Sequence, residues 1–348
     1  MVYKFEHVKI DSVIGITGKK QLNLHEYAKS HNLDLNLLGR LQRSLGFESV
    51  RVIDKPLTVS DLCVAGAKNI ISHSSISFSD VDAIIFVSQT PDQLVPGTTY
   101  GMQPQLELRK DVLTMDLVQG CSGWLYGLFY ASTLIESKIC SNVLVCNGDL
   151  CFYDDLPVLT DDDIGKLSLG DGAAVTFLSY SDKKHESFYE IKSNGEKKDV
   201  IVNPSSGCRA FRQIKSPDQT IDGLIMDGLS YAEYVMETAP IELKKLLQAS
   251  GYCYDDFSCL LMHQSNKSLL NAIEKMLGLP PNFVPFLAKN TGNTSSASIP
   301  LVFSENSERF ASITRDKKTL LCSVGVGLSA VTCILDFSNT YFHNCLYL

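Results

Sequence analysis

Positive charge is scarce in this 348-residue chain: 31 lysines and arginines stand against 39 aspartates and glutamates, for a formal net charge of −8. That balance argues against non-specific nucleic-acid binding, and no stripe of interleaved basic and aromatic residues runs along any segment. A local basic face stays open, with Arg40 beside Arg43, Arg209 near Arg212 and Lys215, and Lys267 near Lys275 as candidates. Such residues are more often plain solvated surface. Long apolar runs are missing too: none reaches the roughly 20 residues that span a bilayer. Residues 1–17 alternate without the apolar core of a secretory signal. Cys-x-x-Cys pairs are absent, and eleven scattered cysteines, an odd number, fit neither a disulfide framework nor a zinc cluster. No paired His or Cys has metal-ligand spacing. The expectation is a cytoplasmic protein with no metal, no membrane and no nucleic-acid partner.

What is present describes a large globular core: 45% apolar and 20% charged residues, enough for two domains or one pseudo-duplicated domain. Strand-length apolar runs fall at 81–88, 112–115, 142–146, 257–262, 319–324 and 329–335. Helical patterns fall at 62–71, 97–108, 124–135, 224–247 and 265–277, the first capped by Thr58-Val-Ser-Asp61. Residues 3–18 read as an opening strand region, and 22–45 as helical or looped. A polar stretch at 179–186 is the best junction. It divides the chain into residues 1–180 and 181–348, after which the order of elements starts again. Alternating strands and helices imply parallel sheets covered by helices, although the residues show no obvious repeat.

Three polar sites stand at the ends of these strands or in adjoining loops, where open α/β folds bind ligands. The first is Cys121 in Asp116-Leu-Val-Gln-Gly-Cys-Ser-Gly123, a strand, a glycine turn and then a helix, which is the mechanics of a nucleophile elbow. A thiol at the first turn of a helix feels the positive dipole end, which favours thiolate. The second is His263 in Met262-His-Gln-Ser-Asn266, and the third Asn293 in Asn290-Thr-Gly-Asn-Thr-Ser-Ser-Ala-Ser298. Each alone is more often structural: a buried thiol, a satisfied histidine, a capped turn. Together they suggest thioester chemistry. A thiol accepts an acyl group, while a neutral imidazole and a carboxamide can both donate to one carbonyl oxygen as an enolate forms.

Gly120-Cys-Ser-Gly123, His263-Gln-Ser-Asn266 and Gly292-Asn-Thr-Ser-Ser-Ala-Ser-Ile-Pro300 resemble the three signatures of β-ketoacyl-acyl carrier protein synthase III, of the thiolase-like superfamily. Gly46 to Arg51, Thr90-Pro-Asp, Gly170-Asp-Gly-Ala, Met226-Asp-Gly228 and Val324-Gly-Val-Gly-Leu-Ser329 agree in order, so the likeness runs from about residue 44 to 336. It implies a thiolase-like α/β fold of two pseudo-duplicated βαβαβ halves in five layers, α-β-α-β-α. It also implies that Cys121 is acylated from acyl-CoA or an acyl carrier protein. His263 and Asn293 would bind a malonyl-carrier thioester and promote its decarboxylation, with the backbone N–H groups of Cys121 and Val326 as oxyanion hole. No cofactor is implied beyond these substrates. The family forms homodimers in which a loop of one subunit reaches the partner's acyl pocket. Here that position is Val95, small enough to admit a bulkier primer.

The chain departs from the family in places. Its first forty residues lack the Gly-x-Gly-x-Tyr-x-Pro opening. The CoA-contacting arginine position is Ser44, with Arg43 one place off and no tryptophan nearby. The carrier-docking position is Ser268, with Lys267 beside it and Arg212 a further candidate. With these shifts both a free CoA ester and a carrier-bound acyl group stay open as donor. The tail after Asp336, with Phe337, Tyr341, Phe342 and Tyr347, matches no family feature. Among rivals, an acyltransferase onto a hydroxyl or amine shares the cysteine, but retention of His263 and Asn293 favours condensation. A non-catalytic partner subunit would lack Cys121. A thiolase would need its second cysteine at Ser323, where Cys322 is one place off.

Overall fold

The computed structural model describes residues 1–54, 56–152, 161–213 and 224–348; Lys215 lies outside them. The chain opens with β1 (Val2–Phe5), β2 (Val8–Thr17), β3 (Lys20–Asn23), α1 (Leu24–Ser30), α2 (Leu35–Leu45) and β4 (Ser49–Val52). There follow α3 (Val59–Ser72), β5 (Ala83–Val87), α4 (Thr98–Gln105), β6 (Leu113–Leu117), α5 (Gly123–Glu136), β7 (Asn142–Asp149) and β8 (Gly172–Tyr180). The next stretch holds β9 (Ser187–Ser193), β10 (Ile201–Val202), α6 (Gly207–Gln213), β11 (Ile225–Met226), α7 (Gly228–Ser250), β12 (Leu260–Met262) and α8 (Lys267–Met276). Last come α9 (Ser298–Glu305), α10 (Ser307–Ile313), β13 (Thr319–Gly325), β14 (Ser329–Leu335), β15 (Tyr341–Phe342) and β16 (Leu346–Tyr347).

One sheet runs β15-β2-β8-β7-β5-β6, with β16 also on β2, and the other runs β1-β9-β14-β13-β12. Helices α5 and α9 lie between the sheets, α3 and α4 cover the outer face of the first, and α7 and α8 that of the second. This is the five-layered α-β-α-β-α arrangement of a thiolase-like fold. Strand alternation builds it: along β7, Val143 and Val145 face the central layer while Leu144 and Cys146 face α3. Trp124 on α5 is buried in that central layer, its indole N–H donating to Thr176 Oγ1 at 2.9 Å.

The run β2-β8-β7-β5 has the same pairing senses as β9-β14-β13-β12: antiparallel, antiparallel, then parallel. The duplication invisible in the residues is therefore plain in the topology. The expectation of parallel sheets needs correcting, because both sheets are mixed. β13 returns directly as β14 through the three residues 326–328, and so short a connection can join only antiparallel neighbours. Residues 22–45 resolve into the end of β3 plus two helices, each capped by a side chain: Asn23 Oδ1 accepts from the His25 and Glu26 N–H groups, and Asp34 Oδ1 from those of Asn36 and Leu37. Asp227 does the same for α7, which explains why that helix starts at Gly228 rather than 224.

The junction at 180/181 separates β8 from β9, but both chain ends cross it. β1 pairs antiparallel with β9 of the second sheet, and β15 and β16 pair with β2 of the first. The aromatic tail thus has a place: Phe337 and Phe342 pack on Phe303 of α9, with ring centroids 5.1 and 4.9 Å apart. Among the described residues no helix is long and apolar enough to cross a membrane.

Candidate active site

Cys121 sits in the turn between β6 and α5, closed by the Gly123 N–H donating to Gly120 O at 2.7 Å. Burial pushes its thiol up to about 12, and the negative charge of Asp149 adds to that; the Ser295 hydroxyl and the backbone N–H groups of Cys121 and Val326 pull the other way. The helix-dipole expectation of a resting thiolate is therefore corrected to a thiol. A dipole is worth about 0.3–1 kcal/mol near a surface, less than the roughly 1.4 kcal/mol of a single pKa unit. Here it is outweighed by desolvation of the sulfur.

The end of β13 presses against this turn. A Cβ on Gly325 would stand 2.5 Å from Cys121 Cβ, so only glycine permits the approach that brings the Val326 N–H to the sulfur. Ser323 Oγ donates to Cys121 O at 2.8 Å, and Ser122 Oγ meets Ser329 Oγ at 2.8 Å. One pair of bonds thus ties the Cys121 turn to the β13–β14 hairpin.

The segment 293–298 touches every remaining part of the site. It is held by Gly170-Asp-Gly172: Asn293 N–H donates to Ser168 O at 2.8 Å, and Gly170 N–H to Asn293 O at 3.0 Å. Any side chain on Gly170 would meet Thr291 O at 2.2 Å. Asn293 Oδ1 accepts the Ser295 N–H at 3.0 Å, which leaves its amide N–H₂ as the donating end. Ser298 Oγ lies 2.6 Å from His263 Nδ1 and accepts from the Gln264 N–H at 3.4 Å. The other ring nitrogen, Nε2, has no hydrogen-bond partner among the described residues. Burial lowers the His263 pKa to about 4, keeping the ring neutral at physiological pH. His263 lines a tight cleft with Tyr231, Val235, Met262, Leu269 and Val324.

Sequence reasoning missed Asp149, Ser295 and Gln89. Asp149 ends β7, fully buried, and accepts from the Gln89 N–H at 2.8 Å, Ser88 Oγ at 3.2 Å and Ser296 Oγ at 3.1 Å. Burial holds its carboxyl up at about 6. The available signal was a carboxylate closing a buried strand, Asn142 to Asp149.

The outlying candidates are less closely gathered. Lys267 is exposed at the start of α8, behind the cap Asn266, and its stem packs against Gly46 at the end of the α2 helix that carries Arg43. Arg212 is exposed on α6, and no hydrogen bond or ion pair among the described residues joins it to Lys267. Val95 is 86% exposed.

Comparison with known proteins supplies the family. The 3-oxoacyl-[acyl-carrier-protein] synthase III profile matches residues 115–195, and the profile of that family's C-terminal part matches 247–337. The β-ketoacyl-[acyl-carrier-protein] synthase III of Streptococcus gordonii is 30% identical over 80% of this chain and 84% of its own. The chain belongs to the 3-oxoacyl-[acyl-carrier-protein] synthase III family. As a synthase III family member it is an enzyme of the ketoacyl-synthase, condensing type. A putative 3-oxoacyl-[acyl-carrier-protein] synthase 3 of Campylobacter jejuni is 27% identical over 99% of this chain and 98% of its own. The crystal structure of a 3-oxoacyl-(acyl-carrier protein) synthase from Burkholderia xenovorans LB400 shares the fold, with a TM-score of 0.90 at 24% identity over 100% and 99% of the two chains. Within this synthase III chain, one matched stretch carries Cys121 and Asp149, and the other carries His263, Asn293 and Val326.

Proposed function

We propose that this chain loads an acyl group on Cys121 and condenses it with a malonyl thioester. The observation that carries the reading is His263, a buried neutral imidazole whose Nε2 has no hydrogen-bond partner among the described residues and is left to meet a substrate oxygen. In the first half-reaction the Cys121 sulfur attacks an acyl thioester and the donor thiol departs. The backbone N–H groups of Cys121 and Val326 stabilise the tetrahedral oxygen. In the second, the malonyl carboxylate carbon leaves as carbon dioxide and its electron pair forms an enolate, whose oxygen accepts from His263 Nε2 and Asn293. The enolate carbon then attacks the acyl carbonyl, and Cys121 leaves as thiolate and regains a proton. Thiol, imidazole, amide and backbone N–H supply each step, so the reaction calls on no cofactor beyond acyl-CoA or acyl carrier protein and the malonyl carrier.

The working form is a homodimer in the cytoplasm. β6 is a sheet edge, and Leu94, Val95, Tyr100 and Val118, all large and exposed, stand near it or on the loops flanking it; such apolar exposure calls for a partner. All eleven cysteines are free, which fits a reducing compartment. Val95, reaching the partner's acyl pocket, admits primers bulkier than acetyl. Strict preference for acetyl in an acyl-CoA panel would defeat that point. Lys267, with Arg212, meets the acidic carrier.

The test is release of labelled carbon dioxide from malonyl-carrier protein by enzyme whose Cys121 is acylated by intact mass. Release that depends on His263 and Asn293 supports condensation. A stable acyl-enzyme with no release would instead mean transfer to an alcohol or amine.

A further inference from the structure

The loop that carries Asn293 is braced from behind by the aromatic tail. We propose that Tyr347 is a positioning residue for condensation, holding the Asn293 loop in place through Arg51. The inference rests on the reading of Asn293 as a donor to the malonyl thioester. In β16 Tyr347 pairs with Thr17 of β2, and the next residue is fastened on both sides: Leu348 N–H donates to Thr17 O at 3.0 Å, and Lys19 N–H donates to Leu348 O at 2.8 Å. The Tyr347 ring covers the Arg51 guanidinium, whose carbon lies 4.8 Å from the ring centroid, a cation–π distance. Arg51 Nη1 donates to Lys19 O at 3.0 Å, so the chain just after β2 holds both partners of the stack.

Arg51 is where this brace meets the site. Among the described residues β4 pairs with β3 alone, in a ribbon outside both large sheets, and a two-stranded ribbon is marginal without support. The backbone of β4 faces the Asn293 loop. Arg51 N–H donates to Thr291 O at 3.1 Å, and Arg51 O accepts the Asp171 N–H at 2.9 Å. Thr291 stands two residues before Asn293, and Gly170, next to Asp171, donates its own N–H to Asn293 O. Between Thr291 and Asn293, Gly292 has a positive φ of 80°, and a Cβ there would meet Val50 Cγ1 of β4 at 2.7 Å. A shift of β4 is therefore passed to Asn293 through packed backbone, with no flexible side chain between them to absorb it. Cys121 is held by other bonds, from Ser323 Oγ and within its own Gly120–Gly123 turn, so loosening the brace spares acyl loading.

The experiment measures the two half-reactions separately in the full chain. Cys121 acylation is followed by intact mass in a quenched time course, and condensation by labelled carbon dioxide released from malonyl-carrier protein by enzyme already acylated. Wild type is compared with Tyr347→Ala, Tyr347→Phe and Arg51→Met. Tyr347→Ala and Arg51→Met are expected to lower the kcat of carbon dioxide release about 10-fold, the cost of a donor misplaced by a fraction of an ångström. The KM for the malonyl carrier and the acylation rate stay at their wild-type values. Tyr347→Phe, which keeps a ring over Arg51, restores the release rate. In an Asn293→Ala background Tyr347→Ala adds no further loss, because the two changes remove the same contribution. Arg51→Met keeps the backbone bonds of β4 and decides the matter if Tyr347→Ala unfolds. A folded variant that releases carbon dioxide at the wild-type rate overturns the brace, as does an equal fall in acylation and release or a further 10-fold loss on top of Asn293→Ala. Wild-type enzyme that acylates but releases no carbon dioxide would overturn the condensation reading itself, and the brace with it, before any variant is compared.

Discussion

The two halves of the molecule share a strand order and differ in the side chains that their strand ends present. In the first, the inner helix α5 is preceded by a thiol, and the adjacent strand β7 ends in a buried carboxylate. In the second, the inner helix α9 is preceded by the segment with Asn293, β12 runs into His263, and β13 ends in a glycine. The strand of the second sheet that matches β7 is β13, so a buried carboxylate in one half stands where the other has Gly325. Under the proposed function, the first half holds the acylated thiol and the second holds the donors that would meet negative charge on a carbonyl oxygen.

That division can be broken in stages. Cys121→Ala should abolish both half-reactions: no acyl adduct by intact mass and condensation at background. His263→Ala should separate them, lowering carbon dioxide release by about 10²–10³-fold while Cys121 still acylates; an equal loss of loading would erase the division of labour. Gly325→Ala strikes where the halves meet, because its Cβ would stand 2.5 Å from Cys121 Cβ. Loading and condensation should fall together by about 100-fold, with a stability loss of about 1–3 kcal/mol in urea unfolding.

Acid titration should distinguish the halves by sign. The His263 pKa falls from 6.5 in the ordinary side chain to about 4 in the fold. Below 6.5 the unfolded chain therefore takes a proton that the folded one refuses, and stability drops until pH about 4, by about 3 kcal/mol in full. Asp149, raised from 3.8 to about 6, does the opposite and adds stability as pH falls through that window. Relative to wild type, His263→Gln should flatten the acid loss and Asp149→Asn should steepen it, read as urea midpoints between pH 4 and 6.5.

Much of this was legible in the residues because the site's parts stand at strand ends, where an apolar run gives way to a polar side chain. Cys121, His263 and Asn293 each follow or precede such a run, and the glycines beside Cys121 announce a close approach. Asp149 escaped because Asn147-Gly-Asp149 continues the strand rather than leaving it, and Ser295 because one hydroxyl among Thr294, Ser295, Ser296 and Ser298 has no distinguishing neighbour. The ionisation of Cys121 could not be read either, since local sequence reports a helix start but not the protein packed around a sulfur. The sheet assignment of β1 was equally hidden: an alternating strand carries no mark of which sheet it will join. β15 and β16, two residues each, are too short to display a period.

The crossed ends have a consequence for how the molecule comes together. Thr340 Oγ1 donates to Ile10 O at 2.6 Å across 330 positions of sequence, while Val2 of β1 pairs with Glu190 of β9. The first sheet waits for its border until residues beyond the last strand of the second sheet have arrived. The second sheet is bordered by residues that come before everything else. Neither half can therefore finish as an independent foldon. Assembly and disassembly should proceed as one cooperative event, and a chain cut between 180 and 181 would yield two fragments, each with an open strand edge that only the other can close.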